Sequence, residues 1–125
     1  MPHPPRFEQL VADAKTRIRE VSAADAFQQH QAGALLIDTR EESEFAQEHA
    51  IGSIHLGKGV IELKIEPTAP DTATPIICYC GGGYRSAIAV DNLQKMGYTN
   101  VQSLAGGFKA WKAANLPIES GSAKQ

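Results

Sequence analysis

The sequence predicts an α/β fold in which helices cover both faces of a mostly parallel β-sheet. Short apolar runs alternate along the chain with longer segments whose apolar residues recur at helical spacing. The runs at 34–38 and 76–79 are too short for helices and are almost wholly apolar. Runs of this kind are typical of strands that are buried on both sides, as in a parallel sheet enclosed by helices.

The composition predicts one soluble globular domain. Of the 125 residues, 42% are apolar and 21% are charged, and we expect a core over about 18–118 with loose tails at 1–5 and 119–125. The net charge of −2 and the lack of Lys or Arg runs argue against a nucleic-acid partner. No apolar run approaches membrane-spanning length and no secretory signal is evident, so we expect a cytoplasmic protein without a membrane partner.

Local signals in the first third of the chain predict two helices and two strands. Apolar residues at helical spacing predict a helix over 6–17, and a short strand follows at 18–21. Ser22, with an acidic residue three positions later, is an N-cap signal for a second helix over 23–31. The apolar run at 34–38 is the next predicted strand.

The alternation of helices and strands continues along the rest of the chain. Residues 66–75 carry three prolines and are expected to form a surface loop, and the residues from Leu116 onward are expected to form a tail. The other predicted elements are a short exposed helix over 41–48, a strand over 54–56, one or two helical turns within 57–65, a strand over 76–79, a helix over 85–96, a strand over 100–104 and a helix over 108–114.

The stretch from 76 to 86, IICYCGGGYRS, carries the clearest chemical signal. A β-prone run ends at Tyr79, three glycines follow, and Arg85 opens the next helix. Cys80 therefore stands just past a strand end, at the edge where open parallel sheets bind ligands. Glycines permit positive φ, so successive N–H groups can turn toward one point, and the helix start adds the positive end of its dipole.

These groups favour negative charge, so the loop is predicted to hold Cys80 as a nucleophilic thiolate. Arg85 adds a fixed cation that can grip an oxyanion or brace the loop. We expect Gly82 to need positive φ and to line the interior of the ring, where a valine would block it. Cys78, inside the strand, fits the alternative of an inert core cysteine. The candidate binding loop consists of Gly81, Gly82, Gly83, Tyr84, Arg85 and Ser86.

Four other polar residues are candidates for the same site. Asp38 and Arg40 follow another predicted strand; Asp38 could act as an acid, but such a pair is more typical of bracing between loops. His49 or His55 could serve as a base, although no spacing ties either one to Cys80. A Cys-x-Cys pair alone is a poor zinc signal and no phosphate-loop or dinucleotide fingerprint occurs, so we expect neither a metal nor an organic cofactor.

Four motifs in order resemble those of the rhodanese-like single-domain sulfurtransferases. They lie at 36–40 with 44–45, at 49–54, at 80–86 and at 104–111, within a resemblance that covers 21–118. The resemblance implies a central parallel sheet of about five strands flanked by helices. It also implies a thiosulfate sulfurtransferase-like enzyme without cofactors, in which Cys80 takes a sulfane sulfur from a small donor such as thiosulfate. The resulting persulfide would pass its sulfur to cyanide, a thiol or a protein acceptor.

Two other functions remain open at the level of sequence. The same fold hosts cysteine phosphatases of the cell-cycle type and arsenate reductase-type enzymes, but those phosphatases typically have His before the cysteine and one residue more before the arginine. Here Tyr79 precedes Cys80, and four residues separate Cys80 from Arg85, a tighter loop that favours sulfur transfer. The other alternative is a non-catalytic rhodanese-like binding module, a class that usually lacks the cysteine.

Overall fold

The computed structural model of the protein describes residues 3–121. The helices are α1 (Pro5–Lys15), α2 (Ala23–Gln31), α3 (Glu42–Gln47), α4 (Ile61–Thr68), α5 (Tyr84–Lys95) and α6 (Gly107–Ala113). The strands are β1 (Glu20–Val21), β2 (Leu35–Asp38), β3 (His49–Ala50), β4 (Ile54–His55), β5 (Ile76–Tyr79), β6 (Val101–Leu104) and β7 (Ile118–Glu119). Within this part of the chain, no helix has both the length and the apolar character needed to cross a membrane.

The central sheet has five strands in the order β1-β6-β5-β2-β4, and all neighbouring strands run parallel. The strand before the candidate nucleophile, β5, is the middle one. Its Cys78 lies between Ile37 of β2 and Ser103 of β6. The predicted α/β fold with a parallel sheet is confirmed.

Helices cover both faces of this sheet, as predicted. Side chains alternate between the faces along a strand, which produces two separate apolar clusters. The cluster beneath α4 and α5 includes Ile37, Ile76, Cys78, Val101, Ile61, Ile65, Val90 and Leu93. The cluster beneath α2 and α6 includes Leu36, Ile77, Tyr79, Leu104, Ala26, Phe108 and Trp111. Helix α1 packs against α5.

Several predicted elements are confirmed where a local signal defines them. Helix α2 has the predicted bounds, and its N-cap Ser22 accepts a hydrogen bond at Oγ from the Asp25 N–H at 3.2 Å. The helix predicted over 41–48 is α3, which buries Phe45. The strand, glycine loop and helix around Cys80 are β5, the loop and α5.

The expectation of a surface loop over 66–75 is wrong at its start. Helix α4 continues to Thr68 and includes Pro67, which lacks the N–H that would donate to the Leu63 carbonyl and so weakens the end of the helix. Its Ile61 and Ile65 are fully buried in the core cluster. Tertiary packing therefore stabilises a helix whose own sequence signal is weak.

A small antiparallel pair of strands was not predicted. His49 and Ala50 of β3 lie opposite Glu119 and Ile118 of β7. Two-residue strands leave no periodic pattern, and residues this far apart in the chain are paired only by the fold.

The loose tails are shorter than expected within the described residues. At one end α1 begins at Pro5, inside the expected 1–5 tail. At the other end the tail expected from Leu116 is wrong, because the Trp111 Nε1–H donates to the Pro117 carbonyl at 2.8 Å and Glu119 belongs to β7. The remaining tail positions 1–2 and 122–125 lie outside the described residues.

Candidate active site

Cys80 lies directly after the middle strand, at the carboxyl edge of the sheet. Its side chain is buried, with only 1% exposed. Cys80 Sγ accepts a hydrogen bond from the Gly83 N–H at 3.1 Å and one from the Ser86 hydroxyl at 3.5 Å. Both donors stabilise negative charge on the sulfur, which is the state that a nucleophilic cysteine needs.

Gly83 is the residue that shapes the loop. Its φ is +96°, and it caps the N-terminus of α5. A Cβ at this position would lie 3.2 Å from Gly106 N and 3.4 Å from Leu104 O. The residue therefore needs to be glycine both for its conformation and for the close approach of the next loop.

The expectation about Gly82 is wrong. Neither Gly81 nor Gly82 has φ in the left-handed range, and a Cβ on either one would meet nothing within 4 Å. Gly82 is exposed and lies at the rim of the site. The requirement for positive φ lies one residue later, because Gly83 is where the backbone turns into α5 beneath the sulfur.

The Ser86 hydroxyl that donates to Cys80 has a second hydroxyl, that of Ser103, next to it. Ser86 Oγ is 2.8 Å from Ser103 Oγ, and both serines are fully buried. A hydroxyl has one hydrogen to donate, so when Ser86 donates to Cys80, Ser103 must donate to Ser86. Ser103 is on β6, and no sequence pattern identified it, since only strand register brings it to the site.

The turn between β6 and α6 holds the loop backbone from the other side. The Phe108 N–H donates to the Cys80 carbonyl at 2.7 Å, and the Lys109 N–H donates to the Gly81 carbonyl at 3.2 Å. Gly107 has φ +59°, and a Cβ there would lie 2.5 Å from the Cys80 carbonyl oxygen. Gly107 lies in the motif at 104–111 but was not among the predicted site residues. The signal that could have identified it is the pair of adjacent glycines that follows a predicted strand.

Asp38 and Arg40 form a buried ion pair. Arg40 Nη2 and Nε lie 2.7 and 3.1 Å from Asp38 Oδ2, and Nη2 also donates to the Glu48 carbonyl at 2.8 Å. Burial opposes the charge of Arg40, but the hydrogen bonds and charge of Asp38 outweigh it and keep the Arg40 pKa above its ordinary value. The guanidinium lies 4.4 Å from the Phe108 ring. The pair therefore contacts the residue that binds the Cys80 carbonyl, and neither member lines the Cys80 pocket.

Neither candidate histidine lines the pocket at Cys80. His49 is buried, with Nδ1 2.7 Å from the Phe45 carbonyl and Nε2 3.1 Å from Glu119 Oε2. His55 Nε2 is 2.6 Å from the Arg40 carbonyl. His49 thus connects α3 and β7, and His55 contacts the loop after β2.

The two cysteines have different surroundings. Cys78 is fully buried in the sheet, and burial, with a smaller effect from the nearby Cys80, raises its pKa to about 12. A thiol in this state is a poor nucleophile. Both cysteines are free.

A pocket of about 690 Å³ opens above Cys80. Arg85 lies in its wall, with Nη2 3.7 Å from Glu44 Oε1 and a side chain that is 37% exposed. The lining residues are Cys80, Gly81, Gly82, Tyr84, Arg85, Gly106 and Lys109, joined by His3, Phe7 and Glu8 from the N-terminal segment. The last three were missed, since nothing local in the sequence ties α1 to the loop. A pocket of equal volume beside α4 does not include Cys80.

Metal-binding geometry is absent from residues 3–121, which contain no group of three or more His, Cys, Asp or Glu side chains placed to hold an ion. The described site brings together one thiol, its hydrogen-bond donors and two cations in the pocket lining, Arg85 and Lys109.

Comparisons with known proteins show what this chain is similar to. The family model described as rhodanese-like domain matches residues 22–114. Thiosulfate sulfurtransferase GlpE of Haemophilus influenzae (strain PittEE) is 37% identical over 102 residues, which cover 82% of this chain and 95% of the relative. A Rhodopseudomonas palustris protein of unknown function, described as a possible tyrosine phosphatase, is 30% identical with a TM-score of 0.80 and covers 95% and 99% of the two chains. The Pseudomonas aeruginosa thiosulfate sulfurtransferase structure shares the fold with a TM-score of 0.81 at 24% identity, over 95% of this chain and 23% of that one.

Proposed function

Because the chain belongs to the rhodanese-like domain family, we propose that it is a sulfurtransferase that carries a sulfane sulfur as a persulfide on Cys80. The observation that carries this proposal is the setting of Cys80 Sγ. The sulfur is buried, it accepts hydrogen bonds from Gly83 and Ser86, and it faces a pocket with the cations Arg85 and Lys109 in its wall.

In the first half-reaction, the Cys80 thiolate attacks the outer sulfur of a donor such as thiosulfate. A new S–S bond forms at Sγ, the donor's S–S bond breaks, and its electron pair leaves with sulfite. The Gly83 N–H, the Ser86 hydroxyl and the start of α5 stabilise the negative charge of the thiolate and then of the persulfide. Arg85 is suited to bind the sulfonate of the donor.

In the second half-reaction, a nucleophilic acceptor attacks the terminal sulfur. The persulfide bond breaks and its electron pair returns to Cys80, so cyanide becomes thiocyanate and a small-molecule or protein thiol becomes a persulfide. The two steps balance without an added oxidant or reductant. They need Cys80 as a free thiol, and we propose that the protein works in the reducing cytoplasm.

Asp38 and Arg40 have a bracing role in this proposal. Arg40 packs over the Phe108 ring at 4.4 Å, and the Phe108 N–H donates to the Cys80 carbonyl at 2.7 Å. The ion pair thereby acts on the backbone that carries the nucleophile, rather than on the substrate.

The proposal is tested by thiosulfate:cyanide sulfur transfer with the wild type and two cysteine variants. We expect the wild type to form thiocyanate, Cys80→Ser to lose this activity, and the matched control Cys78→Ala to keep most of it. A hydroxyl at neutral pH cannot replace the thiolate. Turnover retained by Cys80→Ser would contradict the proposal.

Phosphate ester hydrolysis is the second candidate, because the R. palustris relative is described as a possible tyrosine phosphatase. The loop here has four residues between Cys80 and Arg85 and Tyr79 before the cysteine, which argues against it. We expect no hydrolysis of p-nitrophenyl phosphate under conditions in which sulfur transfer is measurable. A folded protein with neither activity would instead favour a binding module.

A further inference from the structure

We propose that the N-terminal segment selects the sulfur donor, because its rings and Tyr84 form an aromatic wall beside the nucleophile. This wall consists of His3, Phe7 and Tyr84, and all three line the same pocket as Cys80. The preferred donor class is an anionic organic sulfane compound with a flat apolar group next to its sulfur. The inference rests on the proposed sulfur transfer and adds the selectivity of that site.

The three rings contact one another. The centroids of His3 and Tyr84 are 4.2 Å apart, those of His3 and Phe7 are 5.2 Å apart, and those of Phe7 and Tyr84 are 6.1 Å apart with an interplanar angle of 20°. Phe7 and Tyr84 are half-buried, so each keeps ring surface open to the pocket. Aromatic surface of this kind binds planar groups by stacking and by edge-to-face contact.

Helix α1 is fixed in place, so the wall is preorganised. Val11 and Ala14 are buried where α1 packs on α5. Just after this helix, Arg17 Nε and Nη2 donate to the two carboxylate oxygens of Asp91 at 3.0 and 2.8 Å. Little rotational freedom of the helix therefore has to be lost when a ligand binds.

The charges and the size of the pocket define the ligand further. Among the residues that line the pocket, Arg85 and Lys109 are cationic and Glu8 is anionic, so the lining carries a net positive charge that favours an anion. Glu44, 3.7 Å from Arg85, lies outside this lining. The volume of about 690 Å³ lies within the range of about 300–1,000 Å³ typical of organic ligands and far exceeds what thiosulfate fills. A donor that places its charged sulfur end at Cys80 and an aryl group against the aromatic wall contacts both the charged and the aromatic residues of the pocket.

The chemistry is the same as for thiosulfate. The Cys80 thiolate attacks the outer sulfur of an arenethiosulfonate, an S–S bond forms at Sγ, and the bond between the two donor sulfurs breaks. Its electron pair leaves on the arenesulfinate, and no proton or oxidant is consumed.

The test compares kcat/KM for benzenethiosulfonate and for thiosulfate, with cyanide as the acceptor, in the full chain. Phe7→Ala is expected to lower the ratio of the first value to the second about fivefold to tenfold, mainly through KM for the aryl donor. Phe7→Tyr keeps a ring and should keep the ratio. Leu10→Ala is the matched control on α1, because Leu10 is 55% exposed and does not line the pocket.

The outcomes separate this inference from the proposed function. A ratio that changes less than twofold in Phe7→Ala, or that falls equally in Leu10→Ala, overturns the aromatic wall while sulfur transfer stands. A wild type that turns over neither donor overturns both. Circular dichroism of every variant checks that the proteins are folded.

Discussion

Gly83→Ala tests which residue of the glycine run shapes the site. The substitution forces alanine into the left-handed region at φ +96°, which costs roughly 1–2 kcal/mol. The new Cβ would also lie 3.2 Å from Gly106 N and 3.4 Å from Leu104 O, so the two loops have to separate slightly. Together we expect the free energy of unfolding to fall by about 2–3 kcal/mol.

Gly82→Ala is the matched control for stability. Its φ lies outside the left-handed range and its Cβ would meet open space, so the expected change in unfolding free energy is below about 1 kcal/mol. Urea denaturation of both variants measures the difference. Equal destabilisation by the two substitutions would refute this account of the loop.

Gly83→Ala should also slow the chemistry. Moving the Gly83 N–H away from Cys80 Sγ weakens a hydrogen bond to a charged group, which is worth about 1.5–3 kcal/mol. Single-turnover persulfide formation should fall about tenfold or more, measured in native conditions where the variant is folded.

Three further predictions concern residues around the site and the packing of α1. Ser103→Ala should slow persulfide formation about threefold to tenfold, since Ser86 loses the hydroxyl 2.8 Å away that orients it; an unchanged rate would remove Ser103 from the site. Cys78 should resist iodoacetamide in the folded protein at pH 8 while Cys80 reacts, because burial raises the Cys78 pKa to about 12; peptide mass mapping that finds Cys78 labelled first would contradict this. The hydrogen bond from Arg17 holds the Asp91 pKa below its ordinary value of about 3.9, so the stabilisation is present above that pH and is lost as the pH falls through the folded-state pKa. Asp91→Asn should therefore be less stable than the wild type at pH 7. The difference in their free energies of unfolding should stay constant down to about pH 4 and become smaller below it.

Local signals account for the parts of the fold that were predicted. Ser22 caps α2 through a contact three residues away, and the apolar run of β5 followed by glycines needs only its own neighbours to be interpreted. Features that depend on distant contacts were missed. β3 and β7 pair across the chain with two residues each, and α4 tolerates Pro67 because its Ile61 and Ile65 are buried in the core.

The same distinction applies to the site. Cys80 could be identified from its position after a strand, but the sequence does not show which glycine has a positive φ. The close approach of Leu104 and Gly106 to Gly83 is likewise set by tertiary structure. Ser103 reaches Ser86 through strand register, and Phe7 reaches the pocket through the packing of α1 on α5. These contacts are set by tertiary structure, which no single stretch of sequence encodes.

The formation of a persulfide on Cys80 is the central claim, and intact-mass measurement tests it most directly. Freshly reduced wild-type protein is incubated with thiosulfate and then separated from it. Its intact mass is measured before and after treatment with a thiol reductant. The account predicts a gain of one sulfur atom that the reductant removes, the same gain in Cys78→Ala, and none in Cys80→Ser. A wild type that stays unmodified, or a reducible sulfur that persists in Cys80→Ser, would contradict it.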